Sequence, residues 1–171
     1  MGTHAYIYVK NDKKDFGNKV VFNHKTLPNG MALKKIRKVP NLKIIAPYMG
    51  VYCHYDGYPE FVGVILAKYY TTKEQALNLI CGGNMSSIHV DFDISSFYKE
   101  HKQMYGYIRN GVVYHRQSNI YGPNNLSYYY SNTQPQGQYV YIFQNGEWYF
   151  RNSKQGKMQK LIPYLQKHNL L

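Results

Sequence analysis

Apolar and polar positions alternate along His4–Val9, HAYIYV, with the two-residue period of a half-buried strand, and Asn11–Lys19, NDKKDFGNK, has turn composition. Lys19–His24, KVVFNH, predicts a second strand, closed by Leu27–Gly30, LPNG. From Ile44 to Tyr55 the chain reads as extended structure broken at Pro47 and Gly50. The period then changes. Pro59 predicts a helix start, because proline is tolerated in a first turn whose N–H groups have no intrahelical partner. Phe61, Ile65 and Tyr69 recur at i, i+4 and i+8 with Val62 and Leu66 beside them, an apolar stripe for a core. Thr72 and Gln75 match a capping box for a second helix, with Leu77, Leu79 and Ile80 as its apolar face and Gly82-Gly83 as its stop.

The second half is mostly strand. Met104–Gln117 predicts a hairpin turning at Asn110-Gly111, and Gln138–Asn152 a second one turning at Asn145-Gly146. Between them, Ser118–Gly137 has loop composition and contains three consecutive tyrosines. A C-terminal helix is expected from about Met158 to His168, despite Pro163. The sum is an α+β chain, an antiparallel sheet of about five to seven strands with two or three helices packed on it. Neither a repeat nor a linker interrupts it, so residues 1–171 are expected to form a single domain. The expected core is Tyr52, Phe61, Ile65, Leu66, Leu77, Ile80, Tyr141, Phe143 and Trp148.

Composition changes this picture in one direction. Aromatic residues make up 16% of the chain and twenty are tyrosine, which suits half-buried strands and ligand surfaces alike. Twenty-one Lys and Arg face nine acids, for a net charge of +12. Such an excess attracts nucleic acid, phosphorylated small molecules or an acidic protein face. Five of the cations fall in Lys34–Lys43, KKIRKVPNLK, interleaved with Ile36, Val39 and Leu42 in a way that fits the flank of a phosphate site. No apolar run reaches the roughly 20 residues that span a bilayer, so no membrane partner is expected. The start MGTH leads straight into a strand pattern, so a cytoplasmic location is expected, with Cys53 and Cys81 as reduced thiols.

Gly50–Gly63, GVYCHYDGYPEFVG, gathers Cys53, His54, Asp56 and Glu60. Its spacing is poor for zinc, which takes ligand pairs two to four residues apart together with a second pair, and adjacent Cys53 and His54 point to opposite sides of a strand. His89, Asp91 and Asp93 alternate onto one face, where they could bind a divalent cation or form an ordinary polar outer surface; the latter is favoured. A nucleophile elbow, a phosphate-binding P-loop and a dinucleotide fingerprint are all missing, so neither catalytic residues nor a cofactor are assigned. The economical reading of the segment is a structural corner. Asp56 would accept backbone N–H bonds, Gly57 would take an unusual φ, and Glu60 would favour the positive helix end, with room for an anion beside them.

The residues YCHYDGYPEFVGVIL, followed by LICGGNMSSI and later by QYVYIFQNGEWYF, resemble a family of small bacteriophage and prophage proteins carrying a Tyr-Cys-His-x-Asp-Gly-Tyr-Pro motif. That family's Gly-Asp-hydrophobic-Ser-Ser motif reads Gly83-Asn84-Met85-Ser86-Ser87 here, with Asn84 in place of the acid, and Trp148 matches its tryptophan. The resemblance implies a lineage and brings no activity with it. For a basic, tyrosine-rich protein of this kind, the expectation is a non-enzymatic accessory protein that counters a host defence, in the host cytoplasm, by binding a nucleotide signal or a defence protein. A single-stranded nucleic-acid-binding module and an enzyme acting on phosphate-containing substrates are the alternatives, and self-association is left open. The candidate ligand contacts are Lys34, Lys35, Arg37 and Lys38, His54, Arg109 and Arg116 on the hairpin, and Tyr128, Tyr129 and Tyr130 as stacking rings. Metal ligands are not among them.

Overall fold

The computed structural model describes residues 3–21, 42–81, 83–85, 87–88, 108–109, 112–113, 128–152 and 156–171. Its strands are β1 (Ala5–Lys10), β2 (Lys19–Val20), β3 (Leu42–Lys43), β4 (Tyr48–Cys53), β5 (Ser87–Ile88), β6 (Ile108–Arg109), β7 (Val112–Val113), β8 (Tyr129–Ser131), β9 (Tyr139–Gln144), β10 (Glu147–Asn152) and β11 (Gln159–Lys160). The α-helices are α1 (Val64–Tyr69), α2 (Lys73–Ile80) and α3 (Leu161–Lys167), and a π-helical turn, Pro59–Gly63, leads into α1. The protein is of the α+β class. Six strands form one sheet in the order β11-β10-β9-β1-β4-β8, beside a two-stranded β2-β3 sheet and a three-stranded β5-β7-β6 sheet.

The large sheet departs from the expected antiparallel arrangement at one place. β1 pairs antiparallel with β4 on one edge but parallel with β9 on the other, Ile7 standing opposite Tyr141. Parallel neighbours need a crossover connection, and here everything from β2 to β8 lies between them in the chain. The expected hairpins are present. Asn145 (φ 52°) and Gly146 (φ 79°) take the left-handed conformations of a two-residue turn, with Gln144 opposite Glu147. Ile108 pairs with Val113 and Arg109 with Val112, flanking the expected turn at 110–111.

Ala5, Ile7 and Val9 of β1, Met49, Val51 and Cys53 of β4, and Tyr141 and Phe143 of β9 are buried with Leu66, Leu79, Ile80, Leu161 and Leu165 from the helices. One face of the sheet is therefore the main core. Trp148 closes it, 2% exposed, its Nε1–H donating to the Tyr70 carbonyl at 2.6 Å. Phe61 and Leu77 are half-buried against this core, and Ile65, Leu66, Ile80, Tyr141 and Phe143 lie within it. Tyr52 does not. It occupies the opposite parity of β4 from Val51 and Cys53, so the pleat turns it to the other face.

Three further expectations change. Tyr129–Ser131 is not loop: it adds β8 to the sheet edge beside β4, which suits tyrosine's preference for a pleated, half-buried surface. The last helix is shorter than expected, because Gln159–Lys160 pairs with β10 before α3 begins at Leu161. Pro163 then falls in the first turn, where its missing N–H costs no intrahelical bond. At the corner, Asp56 itself takes the left-handed conformation (φ 58°) and accepts from the Tyr58 hydroxyl at 3.3 Å. The N-cap of the π turn is Tyr58, with no side-chain cap bond. Gly57 is required for space, since a β-carbon there would stand 2.7 Å from Ala5 Cβ.

Candidate functional site

Strand alternation places His4, Tyr6, Tyr8 and Lys10 on the sheet face away from the helices, and Tyr48, Gly50, Tyr52 and His54 beside them. Tyr6 and Tyr52 are direct cross-strand partners with ring centres 5.3 Å apart. Tyr129, paired with Gly50, comes up on the same face and meets the Tyr6 ring edge-on at 5.3 Å. Two glycines make room for these rings to lie flat: a β-carbon at Gly50 would stand 2.6 Å from Tyr8 Cδ1, and one at Gly137 would stand 2.7 Å from Tyr6 Cδ2.

The two histidines join at the end of this row. The Tyr52 hydroxyl lies 2.7 Å from His4 Nδ1 and 3.0 Å from His54 Nδ1, and His4 Nδ1 lies 3.0 Å from the His54 carbonyl oxygen. The imidazoles stack with centres 4.8 Å apart, and Tyr55 meets His54 edge-on at 4.5 Å. Backbone bonds hold this corner from behind. Tyr52 N–H donates to buried Asn84 Oδ1 at 3.0 Å, Met85 N–H to the Tyr52 carbonyl at 2.8 Å, and His54 N–H to the Met85 carbonyl at 3.1 Å. Asn84, which stands where the motif resemblance has an acid, thus supports the strand that presents Tyr52 and His54.

The surface is aromatic and uncharged at its centre. Burial, reinforced by Tyr129, raises the Tyr6 phenol above its ordinary pKa; burial with Tyr6 and Tyr129 nearby pushes Tyr8 up to about 12. Both are neutral at physiological pH. Positive charge sits at the far end of β1, where Lys10 Nζ stands 5.8 Å from the Tyr48 ring centre. Lys10 also borders a cleft of about 500 Å³ with Lys14, Lys73, Asp12 and Asp15, in which Lys73 and Asp15 pair at 2.8 Å. On the core side of β4, burial pushes the Cys53 thiol up to about 12, and its Sγ–H donates to the Tyr55 carbonyl at 3.4 Å. Cys53 is therefore a neutral thiol on the opposite face of the strand from His54, and the two cannot act as a nucleophile–base pair.

Comparison of the chain with protein-family models, characterised proteins and solved structures finds no match.

Of the residues singled out from the sequence, His54 and Tyr129 belong to this surface. Tyr128 and Tyr130 do not: Tyr130 pairs with core-facing Met49, and Tyr128 donates its hydroxyl to the Cys81 carbonyl at 2.8 Å. The period of a strand divides three consecutive tyrosines between two faces. Arg109 lies in β6, with its side chain outside the described residues. Lys34, Lys35, Arg37, Lys38 and Arg116 are outside them too, as are His89, Asp91 and Asp93. Among the described residues, no three His, Cys, Asp or Glu side chains converge, and no helix is long and apolar enough to cross a membrane. Sequence reasoning missed His4, Tyr6 and Tyr52. The signal was there: His4-Tyr6-Tyr8 and Tyr52-His54 are alternate positions of two strands, and alternate positions share a face.

Proposed function

We propose that this protein works by binding, capturing a phosphate-bearing ligand whose planar base stacks on His4, Tyr6, Tyr52, His54 and Tyr129. The observation that supports it is the continuity of the rings: His4, Tyr52, Tyr6 and Tyr129 follow one another at 5.3–5.4 Å, and His54 stacks on His4 at 4.8 Å. Every base has a π face, and one aromatic stack contributes about 1–3 kcal/mol. The net charge of +12 supplies the attraction for phosphate, for which Lys34, Lys35, Arg37, Lys38, Arg109 and Arg116 are the proposed contacts. In the phage lineage that the motif resemblance implies, such a protein would be an accessory factor that counters a host defence by withholding a nucleotide signal.

Calorimetric titration with a panel of linear and cyclic nucleotides, and with labelled single strands at several salt concentrations, tests this. A small nucleotide should bind with defined stoichiometry and a shallow salt dependence. Binding confined to long single strands and falling steeply with salt would instead make the protein a single-strand binder, because many counterions are then released. Failure of every probe at low salt would overturn the reading and turn the search to acidic host proteins.

A further inference from the structure

The contacts around the Tyr52 hydroxyl fix the proton on one of the two imidazoles. The His54 carbonyl oxygen only accepts, so His4 Nδ1, 3.0 Å away, carries a proton. That N–H is shared with the Tyr52 oxygen at 2.7 Å. The Tyr52 hydroxyl also lies 3.0 Å from His54 Nδ1, a hydrogen bond that forms with the proton on either atom. If Tyr52 donated to His4 instead, the His4 Nδ1 lone pair would face the His54 carbonyl oxygen at 3.0 Å, two acceptors in contact. His4 is therefore protonated on Nδ1, and the lone pair of its neutral ring is on Nε2.

We propose that His4 reads the ligand: its Nε2, across the ring from Tyr52, is a fixed acceptor that takes a hydrogen bond from an N–H or O–H of the bound nucleotide. The His54 carbonyl, which can only accept, is the positioning group that sets this. The inference rests on the reading that a base stacks on this surface. His4 suits the role because it is half-buried, its ring is stacked on His54, and its Nδ1 bonds oppose a ring flip. No hydrogen bond engages its Nε2 among the described residues. A neutral imidazole acceptor cannot satisfy an ionised phosphate oxygen, which also only accepts. The ligand group at His4 is thus an N–H of the base or a ribose hydroxyl rather than a phosphate.

The test combines ¹⁵N-resolved imidazole NMR of the full chain with titration of adenosine monophosphate, its analogue lacking the 6-amino group, and its 2′- and 3′-deoxy forms. His4 should be protonated on Nδ1 in the wild type and keep that form in Tyr52→Phe, because the His54 carbonyl still accepts from it. One analogue should bind the wild type about tenfold more weakly than the parent, a loss of roughly 1.4 kcal/mol. The amine-lacking and deoxy arms identify which donor is read. That penalty should vanish in His4→Phe, which keeps a stacking ring without the acceptor and whose melting temperature reports whether it folds. A wild-type His4 protonated on Nε2 overturns the inference whatever binds. Equal binding of parent and all analogues overturns it while leaving the stacked base in place. Failure of every probe to bind removes both readings together.

Discussion

The ring of Tyr8 lies across Gly50, its pairing partner on β4, close enough that a β-carbon on Gly50 would stand 2.6 Å from Tyr8 Cδ1. The neighbouring Ile7 carbonyl oxygen closes the same space with backbone, which cannot swing aside. Gly50→Ala should therefore destabilise the fold by about 1–3 kcal/mol, as overpacking does in other interiors. For a chain of this length the melting temperature should fall by about 2–4 °C per kcal/mol. A melt within a degree of wild type would show that Tyr8 does not lie where it is described.

Trp148 ties the β9–β10 hairpin to the end of α1. It packs edge-on against Phe143 at 5.2 Å and donates to the Tyr70 carbonyl at 2.6 Å. Trp148→Ala should cost about 3–5 kcal/mol. Trp148→Phe keeps an aromatic ring but leaves the buried Tyr70 carbonyl without its donor, so about 1–3 kcal/mol of the loss should remain. Denaturant unfolding of the two variants separates packing from the hydrogen bond.

The corner after β4 depends on the left-handed backbone of Asp56, a conformation that costs most L-residues about 1–2 kcal/mol and that Asn and Gly adopt readily. Asp56→Asn should melt within a few degrees of wild type, and Asp56→Val should lose at least about 1 kcal/mol. The opposite order would mean that the carboxylate, rather than the backbone, holds the corner.

Alkaline pH should weaken the fold through groups buried in neutral form. Burial raises Cys53 from its ordinary 9.0 to about 12 and Tyr8 from 10.0 to about 12, and raises Tyr70 further still. For a raised folded-state pKa, the stabilisation is complete below the unfolded-state value and is lost as pH climbs toward the folded one. Stability should thus be level up to about pH 9 and decline from there toward pH 12. Cys53→Ala should flatten the first part of that decline in melts taken across this range.

Consecutive tyrosines should respond in opposite ways. Tyr129 is 37% exposed on the ligand-facing side, so Tyr129→Ala should leave stability within about 0.5 kcal/mol and weaken nucleotide binding about tenfold. Tyr128→Phe deletes the hydroxyl bonded to the Cys81 carbonyl, so it should cost about 1 kcal/mol of stability and leave affinity unchanged. Melting and titration of the two variants side by side check the division between faces.

What could be read in advance was whatever a local rule determines. Thr72 and Gln75 form the capping box: Gln75 N–H donates to Thr72 Oγ1 at 3.1 Å, and Thr72 N–H to Gln75 Oε1 at 3.2 Å. Asn145-Gly146 turns its hairpin for an equally local reason. The aromatic surface depends instead on which strand lies beside which. His4 and His54 meet only because β1 and β4 are neighbours in a register that sets Ala5 opposite Cys53. Tyr129 joins them only because a tyrosine-rich stretch without turn-free periodicity becomes an edge strand. Tyr52 was assigned to the core because an aromatic residue inside an apolar run does not declare its face until the register is known.

The parallel pairing of β1 with β9 sets a timetable for synthesis. β1 leaves the ribosome long before its partner along one edge, whose first residue, Tyr139, stands opposite Ala5. Until then Ile7 and Val9 can shelter against β4 and α2, but a row of backbone N–H and C=O groups beside them stays unclaimed. A ribosome that stalls before β9 releases a nascent chain with a sticky, half-built sheet, the kind of species that chaperones hold and that aggregates when they do not. Transplanting the first strand to follow the last by circular permutation would let β9 and β1 emerge together. Such a rearranged chain should fold no faster than the natural one, because the long closure would pass to the pairing of β1 with β4, across about the same length of chain.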